Sequence, residues 1–148
     1  MLIEDLLDAW RVNNVINLEL LGLSPDETLE LKPGKGKTIR SNFVHIVFFR
    51  RAYAEEKMRA EAEAIPKLDW KTAPREEIVD ALNVSAEVTA ELLRRVDAKP
   101  GRWTAAMRLA YCVAHEAHHR SQIEIALRLG GHEPDDAVLY RLWEWTKK

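Results

Sequence analysis

Five histidines occur in the chain, and three of them fall in the run His115-Glu116-Ala117-His118-His119. Imidazole is the commonest protein metal ligand, so this concentration raises first the question of a bound ion. His115 and His119 are four residues apart. On a helix that spacing sets their Cβ atoms about 5–6 Å from each other, and both rings can reach one ion at Zn–N distances of about 2.0–2.1 Å. His118 lies about 100° around the helix from His119 and belongs to the rim or surface. Of the two remaining histidines, His45 shares an apolar stripe with Phe49 and Ala52, whereas His132 follows a glycine pair. A lone core histidine usually bonds a backbone carbonyl. Three neutral imidazoles facing one cavity have few partners other than a metal, which makes His45, His115 and His119 the expected ligands. Such a set leaves a position for water or substrate.

Competing readings share these residues. His115-Glu116-x-x-His119 also spells the zinc metalloprotease pattern, with Glu116 as general base. Its extended form needs a third histidine where Ile125 stands, and an extended peptide needs a strand edge that this chain does not supply. The run Gly34-Lys35-Gly36-Lys37-Thr38 ends like a phosphate loop, but position 31 is leucine where the pattern needs glycine, so a basic solvated loop is expected. Cys112, about 60° from His115 around the helix, can line the same cavity or be a small core residue. Asn13, Asn14 and Asn17 interrupt an apolar face, so they either hydrogen-bond across the core or line a polar pocket. Asn14, Asn17 and Cys112 are therefore candidate pocket residues, together with Gln122, which continues the His115/His119 stripe.

Apolar periodicity supplies the elements that must position these groups. Ile3, Leu6, Leu7, Trp10 and Leu21 mark a helix from Leu2 to Leu21. A loop holds Gly22 to Lys37, in which Thr28 to Leu31 alternate as a short strand does. Thr38 is a plausible N-cap for a second helix that dissolves into the charged repeat Ala54 to Ala64. Pro74 with Glu76 and Glu77 opens a third helix that ends before Pro100 and Gly101. Trp103 to Leu129 is the longest helical pattern, closed by Gly130 and Gly131, and a short last helix follows Pro134. Four long helices without a series of strands predict an all-α, antiparallel four-helix bundle with a short fifth helix, one domain over 1–148. Trp143 and Trp145 cannot both face inward from that last helix, so one covers a pocket mouth or joins a dimer contact.

Composition narrows the function. The chain of 148 residues has 22 basic and 24 acidic residues, a formal charge of -2, so no net positive field holds a phosphate backbone, and nucleic acid is not an expected partner. No apolar run is long enough to span a membrane, and Glu4, Asp5 and Asp8 stand where a signal peptide needs a basic start. One cysteine forms no internal disulfide. These features predict a cytoplasmic protein that binds no membrane.

Ser41-Asn42-Phe43-Val44-His45-Ile46-Val47, His115-x-x-His118-His119-Arg120-Ser121-Gln122-Ile123, Leu129-Gly130-Gly131-x-x-Pro134 and Asn13, Asn14 and Asn17 together resemble the DinB-like family over nearly the whole chain. The likeness implies a four-helix bundle that holds a divalent ion, commonly zinc or nickel, through three histidines, and a molecule that often dimerises. Position by position, those ligands are His45, His115 and His119. Family members usually carry glycine where Ser121 stands. Related branches resemble thiol S-transferases and a thiol-dependent isomerase, which implies a small-molecule substrate and a low-molecular-weight thiol as possible co-reactant. The expected function is a metal-dependent transferase or hydrolase, with Glu116 as base in the hydrolytic case; the competing expectation is a binding or stress-response protein whose ion is structural.

Overall fold

The computed structural model describes residues 2–148, and among them every regular element is a helix. The long helices are α1 (Leu2–Gly22), α2 (Ile39–Glu55), α4 (Arg75–Ala98) and α5 (Ala105–Leu129); α3 (Arg59–Glu63) and α6 (Asp136–Arg141) are short. Thr38 caps α2 by accepting from the Ser41 amide at 3.1 Å, and Thr104 caps α5 by accepting from the Met107 amide at 3.2 Å. Glu76 and Glu77 in the first turn of α4 and Arg95 in its last complement the helix dipole. At the end of α5, Gly131 takes φ +77, and the His132 amide returns to the Leu127 carbonyl. Gly130 lets the chain pass close to Leu31: a Cβ there would lie 2.4 Å from a Leu31 methyl and would oblige that side chain to shift.

α1 packs against α4 and α5, and α2 packs against the same two helices. The charged repeat after α2 is more structured than its composition suggests, because it holds α3 with Ala62 buried. The strand-like alternation of Thr28 to Leu31 is not a strand. It follows a single 3-10 turn, Asp26–Thr28, and its alternating carbonyls serve α2: Leu31 and Leu29 accept from the Ile39 and Arg40 amides at 2.9 and 3.0 Å. Those amides open the helix and have no partner within it.

The interior has two apolar clusters. One gathers Ile16, Leu20, Phe43, Ile46, Ile78, Leu82, Ile123 and Leu127; the other gathers Leu7, Trp10, Leu92, Leu93, Leu109 and Cys112. Each long helix also buries a polar residue in its middle part: Asn13 on α1, Arg50 on α2, Ser85 on α4, Glu116 on α5. That polar layer and the histidines beside it are the chemical content of the fold.

Candidate metal centre

His45 projects from α2 and His115 and His119 from α5, and one ring nitrogen of each lies within 4.8 Å of the others. The rings meet with centroids 4.5 Å apart for His45 and His119, 5.3 Å for His45 and His115, and 4.7 Å for His115 and His119. Aromatic neighbours wall the group: Phe49 lies 4.0 Å from His115, while Phe48 and Trp70 lie 6.1 and 5.9 Å from His45. His118 is exposed, with its ring 5.3 Å from that of His119.

Protonation favours ligation. Burial, then the neighbouring charges of His115, His45, His118 and Lys37, push His119 down to about 3. Burial also lowers His45, with help from Lys37 and His115. It lowers His115 too, with His118 assisting and Glu116 opposing. All three imidazoles are thus neutral at pH 7, as metal coordination requires.

Asn42 sets the orientation. Its amide nitrogen donates to the carbonyls of Lys37 and Thr38 at 3.2 and 3.0 Å, which leaves Oδ1 facing His119 Nδ1 at 2.8 Å. A carbonyl oxygen can only accept, so Nδ1 carries the proton and Nε2 presents its lone pair to the other rings. This is the outer partner that ligating histidines ordinarily have. The residues fit a metal on two further counts. Nε2 of His119 stands 3.2 Å from Nε2 of His115; with metal–nitrogen bonds of about 2.0–2.1 Å, that separation subtends an angle of about 100°, near tetrahedral. His115 Nδ1 is buried with no hydrogen-bond partner. Two imidazoles that close with one ring atom orphaned have nothing among the described residues to satisfy them.

The neighbouring residue on α5 does different work. Glu116 is wholly buried, and Arg50 grips it at both oxygens, Nε to Oε1 at 2.7 Å and Nη2 to Oε2 at 2.9 Å. Asn13 and Asn17 each donate to Oε2 at 2.7 Å and accept from Arg120 Nη1 at 2.9 and 2.7 Å. Arg50 Nη1 donates to Asn14 Oδ1 at 3.0 Å, to the Leu82 carbonyl at 2.9 Å and to Ser85 at 3.1 Å, and its guanidinium stacks 4.6 Å over Trp10. Burial raises the Glu116 carboxyl, but the Arg50 charge and the bonds from Arg50, Asn17 and Asn13 outweigh it and hold the group below its ordinary value.

These placements correct several expectations. An anionic carboxylate whose oxygens already accept four hydrogen bonds is poorly suited to be a general base, the role expected of Glu116 from its place between ligands. Asn14 accepts from Arg50 and also lines a cavity of about 320 Å³ between α1 and α4, away from the histidines, whereas Asn17 donates to Glu116 and accepts from Arg120. Cys112 lies in the second apolar cluster, 2% exposed, its thiol pushed up to about 12 by burial with Glu116 adding and Arg50 and Arg108 opposing. Gln122 is half-buried and makes no side-chain hydrogen bond among the described residues. Sequence reasoning missed Arg50, although it continues the stripe Phe43, Ile46, Val47 at helical spacing, where an arginine must find a counter-ion. It also missed the role of Asn42.

A family model described as DinB family matches residues 2–147. The chain belongs to the DinB family. No curated protein and no solved structure matches the chain. DinB membership accords with a metal-associated histidine set, and among the described residues no strand edge exists on which the protease reading could hold a peptide. No helix among them is long and apolar enough to cross a membrane. Trp145 packs against the first core cluster, whereas Trp143 is 77% exposed.

Proposed function

We propose that this DinB-family protein is a divalent-metal-dependent enzyme, with zinc or nickel held by His45, His115 and His119, that acts on a small molecule with a low-molecular-weight thiol as co-reactant. The observation that carries the reading is a donor set that stops at three: no fourth His, Cys, Asp or Glu joins the group among the described residues. A closed structural site has four protein ligands, whereas a catalytic site keeps a position free. Part of the same reading is that the four long helices form an antiparallel four-helix bundle and that the molecule is a cytoplasmic homodimer, for which the exposed Leu129 and Tyr140 offer apolar surface.

A bound divalent ion supplies Lewis-acid chemistry there, lowering the pKa of a thiol or water towards neutrality. The chain's own residues decide the rest. Three neutral ligands leave the charge of the ion uncompensated, so an anionic partner is favoured. Asn42 fixes the lone pair of His119 inward. Phe48, Phe49 and Trp70 flank the rings and give the site an apolar side. Cys112 is protonated and packed away, and Glu116 is saturated, so the nucleophile comes from solution and a thiol needs no protein base once its proton is lost.

The test is metal analysis followed by cobalt substitution. The expected result is one ion per chain and a thiolate-to-cobalt charge-transfer band on adding 2-mercaptoethanol, both absent in His45→Ala. Purified protein that takes up no divalent metal sinks the reading; a cobalt spectrum that no thiol perturbs removes the thiol and leaves hydrolysis.

A further inference from the structure

In the first turn of α5, N-terminal to the ligands, one buried arginine has no side-chain partner among the described residues. Arg108 is 6% exposed, yet its guanidinium donates no hydrogen bond to any described residue. Its Nε and Nη1 are sealed from solvent and unsatisfied. The one compensation in view is the Tyr53 ring, 4.8 Å from the guanidinium carbon. An unpaired buried cation is among the costlier features a protein retains, and it calls for an anion.

The charged residues that line the adjoining cavity are of one sign. Arg108 lines a cavity of about 480 Å³ with Lys57 from the α2–α3 link, Arg95 and Lys99 from the end of α4, and Arg102 and Trp103 from the loop before α5. No carboxylate lines it. Arg95 is engaged by Glu91 at 2.8 Å and by Glu61. Lys57, Lys99 and Arg102 are exposed and enter no ion pair among the described residues. Like charges brought together around a concavity raise the local concentration of anions, and low-dielectric walls sharpen the effect. The chain as a whole carries a formal charge of -2, so this is a local concentration of positive charge and no part of a general basic surface.

We propose that this cavity binds a small phosphorylated molecule, with the phosphate on Arg108 and the lysines and Arg102 around it. Guanidinium and phosphate match in geometry, and Arg108 Nη2, unlike its other nitrogens, is not sealed from solvent. Three oxygens of a monoester can take the donors of Arg108, Lys99 and Arg102 at once, which a carboxylate cannot. The volume lies within the range of small-molecule pockets, about 300–1,000 Å³, and the negative total charge argues against a nucleic-acid strand. Trp103, 38% exposed, offers a flat face at the rim. The site uses none of the histidines, so it stands or falls apart from the metal reading.

The experiment is calorimetry and thermal melting of the full chain with inorganic phosphate and glycerol 2-phosphate, against chloride at matched ionic strength and against glycerol. It is run on metal-loaded protein and after chelation. The expected result is saturable one-to-one binding of both phosphates, a raised melting temperature and no response to glycerol, all unchanged by chelation. Arg108→Met weakens binding at least about tenfold, the loss of a charge-assisted contact, while the variant melts no lower than the parent without phosphate. The exposed pair Lys99→Ser and Arg102→Ser weakens binding several-fold and keeps the fold. Binding that vanishes with the metal places the phosphate on the histidine centre and overturns the proposal. So does an effect that chloride reproduces, or Arg108→Met binding phosphate as the parent does. A labelled single-stranded RNA that outcompetes glycerol 2-phosphate replaces the small molecule with a polymer and also overturns it.

Discussion

Two polar groups sit side by side inside this molecule, on neighbouring residues of one helix, and they are finished to different degrees. Around Glu116, the carboxylate, Arg50 and three asparagines account for one another's donors and acceptors across α1, α2, α4 and α5. Around His115 and His119, two imidazole nitrogens face each other at 3.2 Å and a third is orphaned. A satisfied network orders the core and has no capacity left for a ligand. An unsatisfied cluster is where a ligand completes the bonding. The acidic residue closest in sequence to the candidate ligands thus belongs to the closed group, and reactivity has to be sought in the open one.

Breaking the closed group should produce the largest effect. Arg50→Met leaves Glu116 buried without its counter-ion, a loss of about 3–5 kcal/mol, to be read from the urea midpoint at constant slope. Combining it with Glu116→Leu should recover much of that loss, since an apolar pair replaces an ionic one with little net cost. A double variant as unstable as the single one would mean that the layer is held by something other than this pair.

The open group should behave in the reverse way. His119→Ala removes a ligand and should cost more metal affinity than the about 100-fold at which the loss of an outer partner tops out, while the metal-free protein melts where the parent does or slightly higher. His118→Ala should leave titration calorimetry unchanged. Next in size is Asn42→Ala. It frees the His119 tautomer and ring, and should weaken metal binding about 10–100-fold with little change in far-ultraviolet circular dichroism. Equal affinity in Asn42→Ala would show that the 2.8 Å contact does not orient the ligand.

Acid separates the two groups by pH window. The folded-state values of His45, His115 and His119 lie below their ordinary value of 6.5, so the unfolded chain takes up these protons first. Metal-free stability therefore begins to fall as pH drops below about 6.5 and goes on falling towards the His119 value of about 3. Glu116 is also lowered, from 4.5, so its contribution is intact above that value and is lost only below it. His119→Ala should flatten the loss from about 6.5 down to the His119 value of about 3 and leave in place the Glu116 part, which sets in below 4.5. A parent and variant with superimposable profiles would remove the histidines from that window.

Which parts of this were legible in the sequence follows from periodicity. The long helices show because apolar spacing and caps such as Thr38 act locally, and the ligand pair shows because His115 and His119 sit one turn apart. Glu116 was misjudged because a motif fixes which residues neighbour each other along one helix, and its real partners Arg50, Asn13 and Asn17 come from two others. The asparagines announced a need for partners without naming them, since an amide donates and accepts equally well until a carboxylate on one side and Arg120 on the other orient it. The irregular path through Thr28 to Leu31 was hidden because the Leu29 and Leu31 carbonyls serve the start of α2, a contact no local pattern encodes.

The smallest effect should come from Cys112, and it bears on the nature of the nucleophile. The thiol is packed among Leu7, Trp10 and Leu109, and at about 12 its ordinary state at pH 7 is the neutral one. A protein thiol acting in turnover needs a thiolate fraction and access to substrate, and this one has neither. Cys112→Ala removes one sulfur from the second core cluster, at a cost of about 1 kcal/mol, and should leave metal affinity and the cobalt response to 2-mercaptoethanol as in the parent. Iodoacetamide should label Cys112 only as fast as the protein opens. Fast labelling of the native protein, or a cobalt–thiolate band present before any thiol is added and lost in Cys112→Ala, would put the cysteine on the metal and join the two regions that the structure keeps apart.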